Sequence, residues 1–201
     1  MLGRAAVAMW WDVPLRVRAE WEDWHTHEHM RERLGIPGFL RGSRWVALSG
    51  RPSYFVLYEA ENIATLTEGA YLRRLNHPTR WSRKMMPHHR NMVRSLCRVR
   101  ATRGNGIGQA LATVRFSARG RLPRLEKWAE REGIVGVHLL QSLPQDEIPR
   151  TAEQKLRSGD ATADRVLLVC GYDAKAVAAA AKKLAPGKTD LYRLAFALTP
   201  P

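Results

Sequence analysis

Apolar and polar positions in the first hundred residues predict four strands and two helical regions. Residues 5–13 form a short apolar run that ends at Pro14, as in a buried strand. Two runs rich in apolar and aromatic residues, 38–48 and 53–59, flank a Gly-Arg-Pro turn and predict a hairpin. Residues 91–101 alternate as a fourth strand. A helix is expected in each remaining interval.

The first helix is predicted between Pro14 and Gly35, because proline is favoured at helix starts and glycine just past helix ends. Asn62 is a suitable N-cap for a second helix over residues 63–75. Residues 79–86 are expected to add a further helical turn or two. The predicted order for residues 1–103 is therefore strand, helix, strand, strand, helix, strand.

Residues 104–201 repeat this order. Strands are predicted at 110–116, 134–143, 166–172 and 191–198, and helices at 122–132 and, capped by Asp173, through residue 184. The polar segment 144–164 is predicted to be a mobile loop with a short helix at most. The Arg-Gly-Asn-Gly stretch at residues 103–106 is the predicted boundary between two domains, 1–103 and 104–201.

Two tandem β-α-β-β-α-β units predict an α+β fold with two ferredoxin-like repeats. Each repeat has an antiparallel sheet with helices on one face, which leaves the other face apolar and uncovered. Pressing the two open faces together, within one chain or between chains, gives an α/β barrel. We expect the barrel interior to be a ligand cavity. The sequence alone leaves both ways of closing the barrel open.

Charge and composition exclude several classes of protein. The net charge is +14, and 26 of the 33 basic residues are arginine. These arginines are dispersed rather than grouped in compact runs, so a nucleic-acid partner is not favoured. No apolar run is long enough to span a bilayer, and a signal peptide's apolar region is not found, so we expect a cytoplasmic protein without membrane contact. Cys97 and Cys170 lie in apolar strands, where a cysteine behaves as a small buried hydrophobe.

Chemistry-bearing side chains concentrate in residues 21–40. At about 100° per residue, one face of the predicted helix carries two indoles, two imidazoles and two carboxylates, from Trp21, Trp24, His25, Glu28, His29 and Glu32. This mixture is typical of a helix that lines a cleft. The alternative is that the indoles are core and the polar groups only border them. Six of the seven histidines precede residue 104, so the second half is expected to supply wall and stability.

Three stretches carry a resemblance to a known family. They are W-E-D-W-H-T-H-E-H-M-R-E-R-L-G-I-P-G-F-L-R-G-S-R-W, Y-F-V-L-Y-E and Y-L-R-R-L-N-H-P-T-R-W-S-R. The chain resembles bacterial proteins of the dimeric α/β barrel superfamily, close to the EthD-like group. In that group a W-x-x-x-E-H motif, matched here by Trp24, Glu28 and His29, places a histidine at the barrel mouth. The resemblance implies a homodimer in a superfamily of polyketide cyclases, cofactor-free monooxygenases and haem-binding enzymes.

The function that these residues favour is acid-base chemistry on a small apolar, aromatic or polyketide-like compound. Cyclisation, dehydration or isomerisation would suit an imidazole that titrates near neutral pH. The resemblance adds cofactor-free oxygenation as a further expectation. His29 is the candidate base, and Glu28 and His25 complete the candidate catalytic set. The candidate substrate-binding residues are Trp24, Trp21, Tyr54, Asn76, Trp81 and Arg44.

Two other functions compete with this one. A metal or haem site could use His25 and His29, with His77, His88 or His89 as a third ligand, but no cofactor is predicted because no remote ligand is identifiable. An RNA-binding module has the same element order, and residues 51–58 partly match its aromatic strand signature. A glycine and the first stacking aromatic of that signature are replaced.

Overall fold

The computed structural model describes residues 1–117, 124–144, 150–157, 159–185 and 187–201. Eight antiparallel strands close into one barrel within the single chain. The strands are β1 Ala5–Asp12, β2 Phe39–Ala47, β3 Tyr54–Ala60, β4 Arg90–Arg103, β5 Ala110–Phe116, β6 Ile134–Ser142, β7 Arg165–Gly171 and β8 Lys188–Leu198.

The strand order around the barrel is β1-β3-β2-β8-β5-β7-β6-β4. Strands β1 to β4 form one ferredoxin-like sheet and β5 to β8 the other, and the two sheets join through the β2–β8 and β4–β6 pairs. The predicted α+β fold of tandem ferredoxin-like repeats is therefore confirmed. A second copy of the chain is not needed to close the barrel, and the expected homodimer stays a prediction.

The helices lie outside the barrel. They are α1 Arg18–Trp24, α2 Met30–Leu34, α3 Ala64–Thr67, α4 Gly69–Asn76, α5 Arg80–Met85, α6 Ala152–Lys155 and α7 Ala174–Leu184. Short 3-10 turns occupy Leu15–Val17 and Met86–His88. In the described residues, no helix is both long and apolar enough to cross a membrane.

The first helical segment, residues 15–34, contains a π-helical turn at His25–His29 between α1 and α2. Its backbone bond runs from the Met30 N–H to the His25 carbonyl, one residue further than in an α-helix. Arg44 on β2 donates from Nη1 to the Glu22 carbonyl (3.0 Å) and to the Thr26 hydroxyl (3.0 Å) at this turn. Single π turns inside α-helices are often found at functional sites.

The barrel interior is a packed core, which corrects the expectation of a ligand cavity there. Alternate residues of β1 and β3 point inward, and large rings fill the centre, with Trp10 and Phe55 centroids 4.9 Å apart and Phe55 and Tyr192 centroids 5.8 Å apart. The indole N–H of Trp10 donates to the Thr113 hydroxyl across the barrel (3.0 Å). The expectation was wrong because both faces of β1 are apolar. The sequence therefore does not tell which face points into the barrel or how densely the barrel interior is packed.

The other face of each sheet packs against helices. From β1, Val7, Met9 and Trp11 join the first helical segment in one core, because successive strand residues point to opposite faces. The second sheet packs against α7 in a separate core. The first helical segment therefore packs on the outer face of the sheet and does not contact the barrel interior.

Two predicted helices differ from the structure. The helix predicted at 63–75 is split into α3 and α4, because Glu68 is extended and Gly69 has φ of 54°. The helix predicted at 122–132 is wrong for its described part: residues 126–130 form turns, and Lys127 has φ of 66°, outside the helical region. Residues 122 and 123 of that prediction lie outside the described residues.

The segment predicted as a mobile loop, 144–164, is instead attached to the first half where it is described. It contains α6, which begins with a capping box of Thr151 and Gln154. The backbone of Ala161 bonds with Met92 (2.9 Å) and with Arg94 (2.8 Å) on β4. Residues 145–149 and 158 of that prediction lie outside the described residues.

Candidate functional site

A narrow cavity of about 30 Å³ lies between the first helical segment, the outer face of β1, β3 and β4, and α6. The walls combine aromatic, thioether and charged side chains. Those from the first half are Met9, Trp11, His25, His29, Arg33, Tyr58, Tyr71, Leu75, Met86, His89, Met92 and Arg94, and those from the second half are Thr151, Glu153, Gln154 and Arg157.

Residues 151–157, which we call the cover, close the cavity from outside. Glu153 is buried and pairs through Oε1 with Nη2 of Arg33 on α2. The Ala152 N–H donates to Oδ1 of Asn76 at the end of α4 (2.9 Å). Leu156 packs against the core below the first helical segment. The second half thus contributes directly to the candidate site, beyond the wall and stability expected of it.

Three buried imidazoles meet in the cavity wall. The rings of His25 and His29, on the π turn, have centroids 5.4 Å apart. His89 comes from the short connection before β4, and its ring packs on Trp11 with centroids 4.7 Å apart. The His29 ring lies 4.6 Å from the Trp24 ring. Indoles therefore hold the imidazoles in fixed orientations.

The pKa of each of these imidazoles is lowered well below the usual value of 6.5. Burial is the largest cause for all three, because desolvation disfavours the charged form. Nearby positive charges lower the pKa further: Arg33 acts on His29, Arg44 on His25 and Arg157 on His89. All three imidazoles are consequently neutral at pH 7.

The three neutral rings are not equivalent. Nε2 of His89 accepts a hydrogen bond from the Trp21 indole N–H (2.8 Å), which places the His89 proton on Nδ1. His89 therefore offers a donor. Within the described residues, Nδ1 of His25 and of His29 has no hydrogen-bond partner. Each of these two rings therefore has a nitrogen without a hydrogen bond in the part of the chain that is described, which can accept a proton in the tautomer that leaves it unprotonated.

Glu28, the third member of the predicted catalytic set, does not line the cavity. Its Oε1 accepts hydrogen bonds from the Trp24 indole N–H (3.1 Å) and from the Thr79 hydroxyl (2.6 Å). Glu28 thereby ties the first helical segment to the N-terminus of α5. The Thr79 hydroxyl caps this helix by accepting a hydrogen bond from the Ser82 N–H (2.9 Å). The two carboxylates predicted on the cleft face, Glu28 and Glu32, lie beside the cavity rather than in its wall.

Among the predicted binding residues, Trp24 and Trp21 are fully buried next to the imidazoles and support them from behind. Tyr54 donates to Oε1 of Glu22 (2.6 Å), away from the cavity. These aromatic side chains position the site without lining the cavity.

The other predicted binding residues also lie outside the cavity wall. Asn76 holds the cover, and Trp81 is half-buried against the first-half core. Arg44 is buried at the π turn and lies over the Trp21 ring, 5.8 Å from its centroid. Its positive charge still reaches His25.

The sequence reasoning missed the charged and phenolic part of the cavity: Arg33, Tyr58, Tyr71, Arg94 and Glu153. Arg33 follows His29 by four residues, a spacing that places both on one helix face and could have revealed it. Glu153 is separated from Arg33 by 120 residues. Only the Thr-x-x-Gln capping box gave a local signal of a helix there.

Two of the alternatives, a metal site and an RNA-binding strand, involve residues of this region. In the described part of the chain, no group of three or more His, Cys, Asp or Glu side chains is placed to hold a metal ion. The aromatic residues of the RNA-binding signature, Phe55 and Tyr58, are both buried, one in the barrel core and one in the cavity wall. Neither can stack on a base.

The chain matches no family model, and no curated protein matches it. Solved structures match over nearly its whole length. An anthrone oxidase-like protein superposes with a TM-score of 0.55 at 8% identity, covering 96% of this chain and 92% of the other. A protein assigned as a monooxygenase from Fusobacterium nucleatum gives 0.54 at 10% identity, covering 99% and 96%. Another from Lactobacillus acidophilus gives 0.55 at 8%, covering 98% and 96%. At these identities the likeness shows a shared fold.

Proposed function

We propose that the chain is a small-molecule enzyme that removes a proton from an acidic C–H or O–H group of an aromatic compound. The observation that carries this proposal is the pair of neutral imidazoles, His25 and His29, whose Nδ1 atoms have no partner among the described residues. His29 is the proposed base, and His25 is the alternative base beside it.

The charge around the imidazoles supports this chemistry. The guanidinium groups of Arg33 and Arg157 lower the pKa of the neighbouring imidazoles, and the same positive field stabilises an anion in the cavity. A weakly basic imidazole can then deprotonate a phenol or a CH₂ group activated by carbonyls, because the positive field lowers the pKa of the substrate group. Trp11 and the thioethers of Met9 and Met92 provide an apolar surface for a ring.

We further propose that dioxygen oxidises the resulting carbanion. For a CH₂ group the balanced change is CH₂ + O₂ → C=O + H₂O, in which the substrate carbon supplies the electrons. The names of the structural neighbours, an anthrone oxidase-like protein and two proteins assigned as monooxygenases, support this outcome over cyclisation, dehydration or isomerisation of the same carbanion. The EthD-like assignment, the homodimer and the cytoplasmic location also remain proposals.

The test separates proton removal from oxidation by using anthrone as the probe. Without oxygen in D₂O, NMR should show enzyme-accelerated exchange of the anthrone CH₂ protons. In air, oxygen uptake should match quinone formation one to one, and the increase over the spontaneous rate gives the enzymatic rate.

The matched variants are His29→Gln and His27→Gln. The first removes the proposed base, and the second alters an exposed imidazole on the same turn, which pairs with Asp23 instead (3.4 Å). We expect exchange to fall roughly 10²-fold or more in His29→Gln, as for loss of a general base, and to stay unchanged in His27→Gln. Equal exchange by both variants, or no exchange above the spontaneous rate by the native protein, would refute the proposal.

A further inference from the structure

The cavity is too small for an aromatic ring while the cover is in place. A cavity of about 150 Å³ accommodates one benzene, whereas this one measures about 30 Å³. The barrel strands and the first helical segment are tied into the main cores, so space must come from displacement of the cover. Opening the cover separates Glu153 from Arg33, and this exchange of partners indicates what the cavity binds.

One buried positive charge in the cavity lacks a carboxylate partner. Arg94 is 7% exposed, and its guanidinium donates to the Tyr71 hydroxyl (3.4 Å), with no carboxylate in ion-pair contact among the described residues. Asp160 contributes to the same field, but both its oxygens already bond Arg157 (2.7 and 2.8 Å). A buried cation without an anion is costly, so the site favours a negatively charged occupant.

Two more donors lie in the same place. Within the described residues, the Tyr58 hydroxyl and Nη1 of Arg33 are buried and make no hydrogen bond, although Nη1 of Arg33 lies 3.8 Å from a carboxylate oxygen of Glu32. The Tyr71 side chain connects the two arginines, because its hydroxyl bonds Arg94 and its ring lies 6.0 Å from the Arg33 guanidinium carbon. Arg33, Arg94 and Tyr58 therefore form one cluster of donors, which we call the anion subsite.

We propose that the substrate carries a carboxylate that binds in the anion subsite, and that Glu153 of the cover occupies Arg33 when the substrate is absent. This inference rests on the proposed function, for which it defines the substrate class as acidic aromatic compounds. A carboxylate matches the paired donors of a guanidinium and replaces the bond that Glu153 makes, so opening the cover leaves no buried charge unpaired.

Burial of Arg33 agrees with this exchange. Burial alone lowers the pKa of a guanidinium, but the carboxylate of Glu153 and the phenols of Tyr71 and Tyr58 outweigh it and raise the pKa of Arg33. Arg33 therefore stays charged whether its partner is Glu153 or a carboxylate from solution.

The test compares binding of 2-naphthoate with binding of its neutral analogue 2-naphthamide, measured by calorimetry at pH 7.5. We expect the native protein to bind the carboxylate at least tenfold tighter than the amide. Arg94→Gln should reduce this preference by weakening only the carboxylate, since Arg33 still binds it. Glu153→Gln should strengthen carboxylate binding about tenfold without an equal gain for the amide, because the internal competitor has been removed.

Two controls keep the test decisive. Glu20→Gln removes an exposed carboxylate of α1 that pairs with Lys84 outside the cavity wall, and should leave the preference unchanged. If Glu153→Gln does not fold, Tyr58→Phe replaces it, since loss of a hydroxyl without a partner should weaken carboxylate binding about threefold at unchanged melting temperature.

Equal affinity for the two probes, an unchanged preference in Arg94→Gln, or an equal gain for both probes in Glu153→Gln would overturn the anion subsite. No binding of either probe to the native protein and to Glu153→Gln would overturn it as well. Binding is measured without turnover, so a carboxylate preference with no anthrone proton exchange would refute the proposed enzyme and retain the subsite. Anthrone proton exchange without a carboxylate preference would refute the subsite and retain the proposed enzyme.

Discussion

Acid should unfold this protein through its buried imidazoles. His25, His29 and His89 have lowered pKa values when folded, so below pH 6.5 the unfolded chain binds more protons than the folded one, and stability falls as the pH falls. From pH 7 to pH 5.5 each contributes a loss of about 1.3 kcal/mol, or about 4 kcal/mol together. His138, whose pKa is lowered to about 3 chiefly by burial, adds about 1.3 kcal/mol of the same sign.

The assay is urea unfolding at half-unit pH steps between 7 and 5.5. A total loss of about 5 kcal/mol is a large part of the 5–15 kcal/mol typical of a domain. Glu32, whose pKa is raised mainly by burial, works in the opposite direction only near the low end of this range. His25→Gln should reduce the loss by about 1.3 kcal/mol, and the surface variant His27→Gln should not. A free energy of unfolding that changes by under about 1 kcal/mol over the range, or an unchanged loss in His25→Gln, would refute the reasoning.

Three further outcomes follow from the packing. Trp10→Ala should cost about 3–5 kcal/mol in chemical unfolding because it empties the barrel centre; a cost below about 1 kcal/mol would mean that the core collapses around the gap. Glu28→Ala should cost about 1–3 kcal/mol by leaving the Trp24 indole unpaired, yet keep the naphthoate preference. Asn76→Ala should speed hydrogen exchange of the Ala152 amide, read by NMR, with no change in the melting temperature; unchanged exchange would show that the cover is held elsewhere.

The fold was predictable because its signals are local. The largely apolar run of β5 and the Asp173 cap of α7 each specify an element without reference to the rest of the chain, and both lie where predicted. The helix predicted over 122–132 failed in its described part because the backbone at Lys127 has positive φ, which composition does not encode. Closure of the barrel within one chain depends on pairing between distant strands and has no sequence signature of its own.

The candidate site was predictable only in part, for the same reason. His25 and His29 stand out in one short segment, and the structure places both in the cavity wall. The spacing argument assumed a regular α-helix, whereas a π turn brings their rings together. Arg33 and Glu153 come from opposite halves of the chain and meet only through tertiary packing. No periodicity could have joined them.

Closing the barrel with one polypeptide has an evolutionary consequence. In a barrel assembled from two identical chains every mutation occurs twice, so any segment that blocks one pocket blocks its twin. Here the halves are encoded separately, and the connection between β6 and β7 could lengthen into a cover without a matching change between β2 and β3. A single chain can therefore carry a pocket in one half and the segment that covers it in the other.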